Sequence, residues 1–162
     1  MELVELARAV GERLDHLGLM LSTAESCTGG WVAQTLTAVP GSSSSFERGF
    51  VTYTNNAKHE MLGVSQDTLA QDGAVSEQTV REMAAGALTH SRAQVALAVS
   101  GVAGPSGGSP QKPVGTVCFG WARSGGEPIS RTEHLGGDRE AVRRQAVAIA
   151  LQGVLDLLAD DG

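Results

Sequence analysis

Ser26 stands in the run Ala24-Glu25-Ser26-Cys27-Thr28-Gly29-Gly30, between a short apolar segment and a helical pattern. A hydroxyl or thiol at the carboxyl end of a buried strand, backed by helix amides, can act as a nucleophile whose oxyanion is held by those amides. The amides of Cys27, Thr28, Gly29 and Gly30 lie at the positive end of the helix dipole, which suits an anion. The same position also suits a helix cap, with Ser26 or Thr28 bonding the first free amides. Cys27 likewise reads as a thiolate nucleophile or as a small buried residue.

A second group is Tyr53-Thr54-Asn55-Asn56-Ala57-Lys58. It spans the end of another strand pattern and the first turn of a helix. If the two strands are neighbours, Tyr53 and Lys58 can face Ser26. A lysine early in a helix opposes the macrodipole, and such breaks of a local rule occur at functional sites. A neutral, desolvated lysine can deprotonate a serine, whereas an exposed one is only a solvated charge.

Two further segments complete the candidate chemistry. The stretch Ser100-Gly101-Val102-Ala103-Gly104-Pro105-Ser106-Gly107-Gly108 lets backbone approach a ligand, or forms a long turn. Residues 104–108 match G-x-S-x-G, but Ser109-Pro110-Gln111-Lys112-Pro113 cannot open the helix that a nucleophile elbow needs. Arg139, Arg143 and Arg144 lie in the first two turns of a helix, again against the dipole. A phosphate explains them, and so does pairing such as Glu140 with Arg144 on a wet face. His16, His59, His90 and His134 lack metal-ligand spacing, so no metal and no cofactor are expected.

The elements that must position these residues follow from periodicity. Residues 2–18 read as an amphipathic helix closed by Gly18, and residues 19–24 as a buried strand. A helix over 31–39 ends at Pro40-Gly41, and the serines at 42–45 form a loop. A strand is predicted over 49–54, then a helix from an Asn55 cap to Leu62, ended by Gly63. Ser76 caps a helix with Val80, Met83, Ala84, Ala87 and Leu88 on its apolar face. Strands follow over 94–100, 114–122 and 129–135, with a hairpin turn at 124–127. Asp138 caps a last helix. Strands alternating with helices, plus one hairpin, predict an α/β fold with a mixed sheet covered on both faces.

Composition bounds the rest. The chain has 162 residues, 41% hydrophobic and 19% charged, which argues for one folded domain over residues 1–162 and against disorder. Net charge is −6 and aromatics are only 4%, so nucleic-acid and anionic-membrane binding are not expected. Two cysteines make no disulfide framework. No signal peptide or membrane span is recognisable, so a soluble, cytoplasmic protein is expected.

The motifs A-E-S-C-T-G-G at 24–30, Y-T-N-N-A-K at 53–58, S-G-V-A-G-P-S-G-G-S-P-Q-K-P-V-G-T-V at 100–117 and G-D-R-E-A-V-R at 137–143 resemble the CinA C-terminal domain family over residues 4–158. The family's separate molybdopterin-binding-like domain is absent, so the stand-alone form is expected. The resemblance implies a three-layer α/β/α sandwich with a mixed, mostly parallel sheet. It implies hydrolysis of nicotinamide mononucleotide to nicotinate mononucleotide and ammonia, as in pyridine nucleotide recycling. Ser26 is then the nucleophile, Lys58 its base and Tyr53 an assisting residue. Cys27, Thr28, Gly29, Gly30, Asn55, Ser100, Gly101, Gly104, Arg139 and Arg143 bind substrate, with Ser100 where many relatives carry threonine. The resemblance also suggests a homo-oligomer. Two alternatives stay open: a nucleotide-binding or regulatory module without turnover, and a Cys27 thiol amidase.

Overall fold

The computed structural model describes residues 2–160. Helix α1 (Leu3–Leu17) buries Leu6, Ala7, Val10 and Leu14, and Gly18 ends it in the left-handed region at φ 68°. Strand β1 (Leu21–Glu25) is buried at every position. Helix α2 (Trp31–Thr37), strand β2 (Phe46–Val51), and helices α3 (Asn55–Leu62), α4 (Gln66–Asp72) and α5 (Glu77–Thr89) follow. Strands β3 (Val95–Gly101), β4 (Thr116–Arg123) and β5 (Ile129–His134) precede the long helix α6 (Arg139–Leu157).

The sheet order is β2-β1-β3-β4-β5. β1 pairs in parallel with both β2 and β3, while β3–β4 and β4–β5 are antiparallel. Four of the five strands therefore run the same way, with β4 reversed. Two apolar layers sandwich the sheet, because inner strands alternate buried residues between faces. Val95, Leu97, Val99, Val117, Phe119 and Trp121 pack with α1 and α6. Ala96, Ala98, Cys118 and Ala122 pack with α5 on the opposite face. The result is the expected three-layer α/β/α sandwich.

Several boundaries differ from the sequence reading, each for a physical reason. The strand predicted over 49–54 lies at Phe46–Val51, because residues 52–54 turn out of the sheet to enter α3. Glu47 and Arg48 are tolerated there because β2 is an edge strand. The predicted Asn55 cap is instead Thr54, whose hydroxyl accepts from the Ala57 amide at 3.1 Å. The helix α4, absent from the sequence reading, is mostly polar, and Ser65 caps it by accepting from Asp67. Ser76 and Asp138 cap α5 and α6 as expected, accepting from Thr79 and Ala141.

Gly86 shows how tightly the helix layer holds α3. A Cβ at this position would sit 1.9 Å from the Leu62 carbonyl oxygen at the end of α3. Since backbone cannot yield like a side-chain tip, Gly86→Ala is expected to destabilise the fold by about 1–3 kcal/mol. Denaturant unfolding measures that loss. Lys58 lies one turn before Leu62, so activity should fall along with stability.

Candidate active site

The order of the three parallel strands creates a crevice. β1 is central, with β2 on one side and β3 on the other. The chain leaves β1 through α2 towards β2, then returns through α3, α4 and α5 to β3. Because crossovers are right-handed, these opposite directions of travel put their helices on opposite faces of the sheet. A gap opens beyond the carboxyl end of β1, the usual ligand position in open α/β sheets. Ser26 is the first residue past that end. Its amide donates to the Val99 carbonyl at 3.0 Å, and the Thr52 amide donates to the Glu25 carbonyl at 2.8 Å. The backbone around Ser26 is thus tied to both neighbouring strands.

Lys58 reaches the same point from α3. It lies on the core face with Leu62, four residues on. The side chain is 1% exposed. Its Nζ donates to Ser26 Oγ at 3.0 Å and to the Thr52 carbonyl at 2.9 Å. No carboxylate among the described residues pairs with it. Burial pushes the Lys58 pKa below the usual lysine value, because a desolvated ammonium is disfavoured. The pair is therefore a serine hydroxyl beside a lysine biased towards its neutral, proton-accepting form.

The turn after Ser26 is organised by a residue that sequence reasoning passed over. Glu25 is completely buried. Its carboxylate accepts from Thr28 Oγ1 at 2.6 Å and from the amides of Gly30, Val32 and Ala33 at 3.2, 2.9 and 3.0 Å. Glu25, rather than Ser26 or Thr28, caps α2. The signal for this was a glutamate closing an otherwise uncharged strand just ahead of the turn. Two amides near Ser26 are left over. The Cys27 and Thr28 amides donate to no backbone carbonyl or side-chain oxygen among the described residues.

A cleft of about 250 Å³ opens at this point, lined by Ser26, Cys27, Tyr53, Lys58, Ser100, Gly101 and Arg139, with Ala74, Val75 and Ala103 as its apolar part. Arg139 donates to the Gly104 carbonyl at 2.8 Å and to the Tyr53 hydroxyl at 3.2 Å, joining α6 to the glycine-rich loop and the β2–α3 connection. No hydrogen bond links Tyr53 to Ser26 or Lys58, so their contact is direct. Thr28, Gly29, Gly30 and Arg143 line a shallower depression next door, together with Trp31. Asn55 lies outside the cleft, exposed in the first turn of α3. Arg144 does not pair with Glu140; its guanidinium lies 5.4 Å from the centre of the Trp31 ring. A separate hollow of about 210 Å³ beside α1 and the 39–45 turn contains no nucleophile paired with a base.

The Cys27 thiol is 6% exposed, and burial is the main cause pushing its pKa up to about 11. At neutral pH it is a protonated, weakly nucleophilic group. Cys27→Ala is therefore expected to keep most of its turnover and lose about 1 kcal/mol of stability. Kinetics and a thermal melt of that variant check both numbers. Loss of turnover without unfolding would return the thiol to consideration.

Among the described residues, no three of His, Cys, Asp and Glu cluster to hold a metal ion, and no helix is long and apolar enough to cross a membrane.

The sequence and the fold recur in known proteins. The chain is 59% identical over 151 residues to a nicotinamide-nucleotide amidohydrolase PncC of Escherichia coli (strain K12), covering 93% of this chain and 92% of that one. It is 52% identical over 152 residues to the Pseudomonas putida protein of the same name, covering 94% of each. The fold superimposes with a TM-score of 0.95 and 40% identity on the competence damage-inducible protein A of Klebsiella pneumoniae subsp. pneumoniae MGH 78578, over 100% of both chains. The model of the CinA C-terminal domain matches residues 3–158, a span that takes in every residue of the cleft. With that span and those identities, the chain belongs to the CinA C-terminal domain family.

Proposed function

We propose that this protein hydrolyses the carboxamide of nicotinamide mononucleotide to nicotinate mononucleotide and ammonia, by a serine–lysine mechanism. The observation that carries the mechanism is the 3.0 Å contact between Ser26 Oγ and a buried Lys58 with no acidic partner among the described residues. The substrate is supported by the names of the relatives, which are nicotinamide-nucleotide amidohydrolases.

In the neutral state of Lys58 the contact reverses, and the serine O–H donates to Nζ. Lys58 takes the proton as Ser26 Oγ bonds to the carboxamide carbon. The carbonyl oxygen becomes an oxyanion, held by the amides of Thr28 and Cys27. Lys58 returns the proton to the amide nitrogen, the C–N bond breaks, and ammonia leaves. An acyl ester on Ser26 remains. Lys58 then deprotonates a water that attacks the ester, and the proton passes to Ser26 as the carboxylic acid departs. In this reading Arg139 and the loop from Gly104 hold the ribose phosphate. On the same reading Tyr53, exposed, part of the cleft lining and tied to Arg139, meets the cationic pyridinium through its ring. In this reading the enzyme acts in pyridine nucleotide recycling.

The test is ammonia release from nicotinamide mononucleotide, with nicotinamide as the control lacking ribose phosphate. Turnover of the nucleotide alone is expected. Nucleotide binding by calorimetry without any ammonia would overturn the reading in favour of a binding module.

A further inference from the structure

Arg143 and Glu25 grip the turn that follows Ser26 from two sides, and neither lines the cleft. Arg143, half-buried on α6, donates from Nε to the Cys27 carbonyl at 3.0 Å and from a terminal nitrogen to the Thr28 carbonyl at 3.2 Å. Its guanidinium also lies 5.5 Å from the centre of the Trp31 ring, which limits its freedom to turn away. In a trans peptide the C=O and N–H of one unit point in opposite directions. Anchoring the Cys27 carbonyl therefore turns the Thr28 N–H away from Arg143. Anchoring the Thr28 carbonyl does the same to the Gly29 N–H, which donates back to the Ser26 carbonyl at 3.1 Å. A carbonyl that already accepts a hydrogen bond also makes the N–H of its own peptide a stronger donor.

Glu25 acts on the other side of the turn. It occupies the amides of Gly30, Val32 and Ala33 and pins the Thr28 hydroxyl, so the Thr28 amide stays available while its side chain is immobilised. A carboxylate already seated on the start of α2 also opposes a substrate phosphate there.

We infer that Arg143 and Glu25 are positioning residues that hold the 26–30 turn so that the Thr28 and Cys27 amides face the developing oxyanion. Arg143 is then not a phosphate ligand, and that role falls to Arg139. This inference rests on the acyl-transfer reading above.

The test combines kinetics on nicotinamide mononucleotide with competitive inhibition by ribose 5-phosphate, which has the phosphate but no amide. Lysine cannot reproduce the two-pronged grip of guanidinium. Arg143→Lys is expected to lower kcat by about 10²-fold, the scale of a small misplacement at a reacting centre. Since the oxyanion exists only beyond the ground state, kcat and kcat/KM fall together, and ribose 5-phosphate inhibition is unchanged. Glu25→Gln, which sets an NH2 against amide donors, should show the same split with an unshifted pH midpoint. Arg139→Gln should weaken ribose 5-phosphate. If Glu25→Gln does not fold, Arg143→Lys decides alone. Full kcat in Arg143→Lys, or a loss confined to KM and ribose 5-phosphate affinity, overturns the clamp in an active enzyme. A wild-type protein that releases no ammonia rejects the reaction itself, and the clamp with it.

Discussion

Ser26→Ala is expected to cut ammonia release from nicotinamide mononucleotide by about 10⁴-fold or more, the loss seen when a nucleophile is deleted from a covalent hydrolase. The effect should fall on kcat while substrate still binds, because Arg139 and the apolar part of the cleft stay in place. Stability should change by no more than about 1 kcal/mol. Among the described residues Ser26 Oγ has one hydrogen-bond partner, Lys58 Nζ, and that nitrogen keeps the Thr52 carbonyl when the hydroxyl is removed. A thermal melt and a calorimetric titration accompany the rate measurement. A stable, fully active Ser26→Ala protein would remove Ser26 from the mechanism.

Lys58→Met should lower kcat by a similar factor, since side chains acting as one unit fail together. Methionine is of similar length and brings no charge, so the core position stays filled. In the wild-type enzyme kcat/KM should rise with pH through the lowered Lys58 ionisation, because only the neutral amine accepts the serine proton. That rise should vanish in Lys58→Met.

Stability gives a second, independent readout of the same group. The folded-state pKa lies below the 10.5 of an ordinary lysine, so between the two values the unfolded chain binds more protons. The stability of the wild type relative to Lys58→Met should therefore increase with pH across that window. Its contribution is greatest above the unfolded value, is lost as pH falls through the folded one, and levels off below it. Denaturant unfolding of both proteins over a pH series measures the difference. A flat difference would mean that Lys58 titrates like a solvated lysine.

Much of the frame was legible because local signals are strong where they are local. Gly18 and Gly63 end α1 and α3 in left-handed conformations, and Ser76 and Asp138 cap α5 and α6, just where their types predict. The helix α4 was illegible because its only half-buried apolar side chain is Leu69, too little for a period to register. The strand over 49–54 was misplaced by the β-prone run Phe50-Val51-Thr52-Tyr53. Which of those residues join the sheet is decided by pairing with β1, a partner outside any local window.

The candidate site divides along the same line. By itself the sequence determined that Ser26 follows a buried strand, that Lys58 opens a helix against its dipole, and that Arg139 and Arg143 begin another. It left the relation among them conditional on strand order. The tertiary structure placed β1 between β2 and β3, making Ser26 and Lys58, 32 residues apart, direct hydrogen-bond partners. It also buried Lys58 with no counter-charge among the described residues, assigned the cap of α2 to Glu25, and separated Arg139, in the cleft, from Arg143, behind the turn. The physical reason is that capping and periodicity act over a few residues of chain, whereas desolvation and side-chain contact depend on which elements pack together. Only the closed fold removes water from Lys58 and so biases it towards a base.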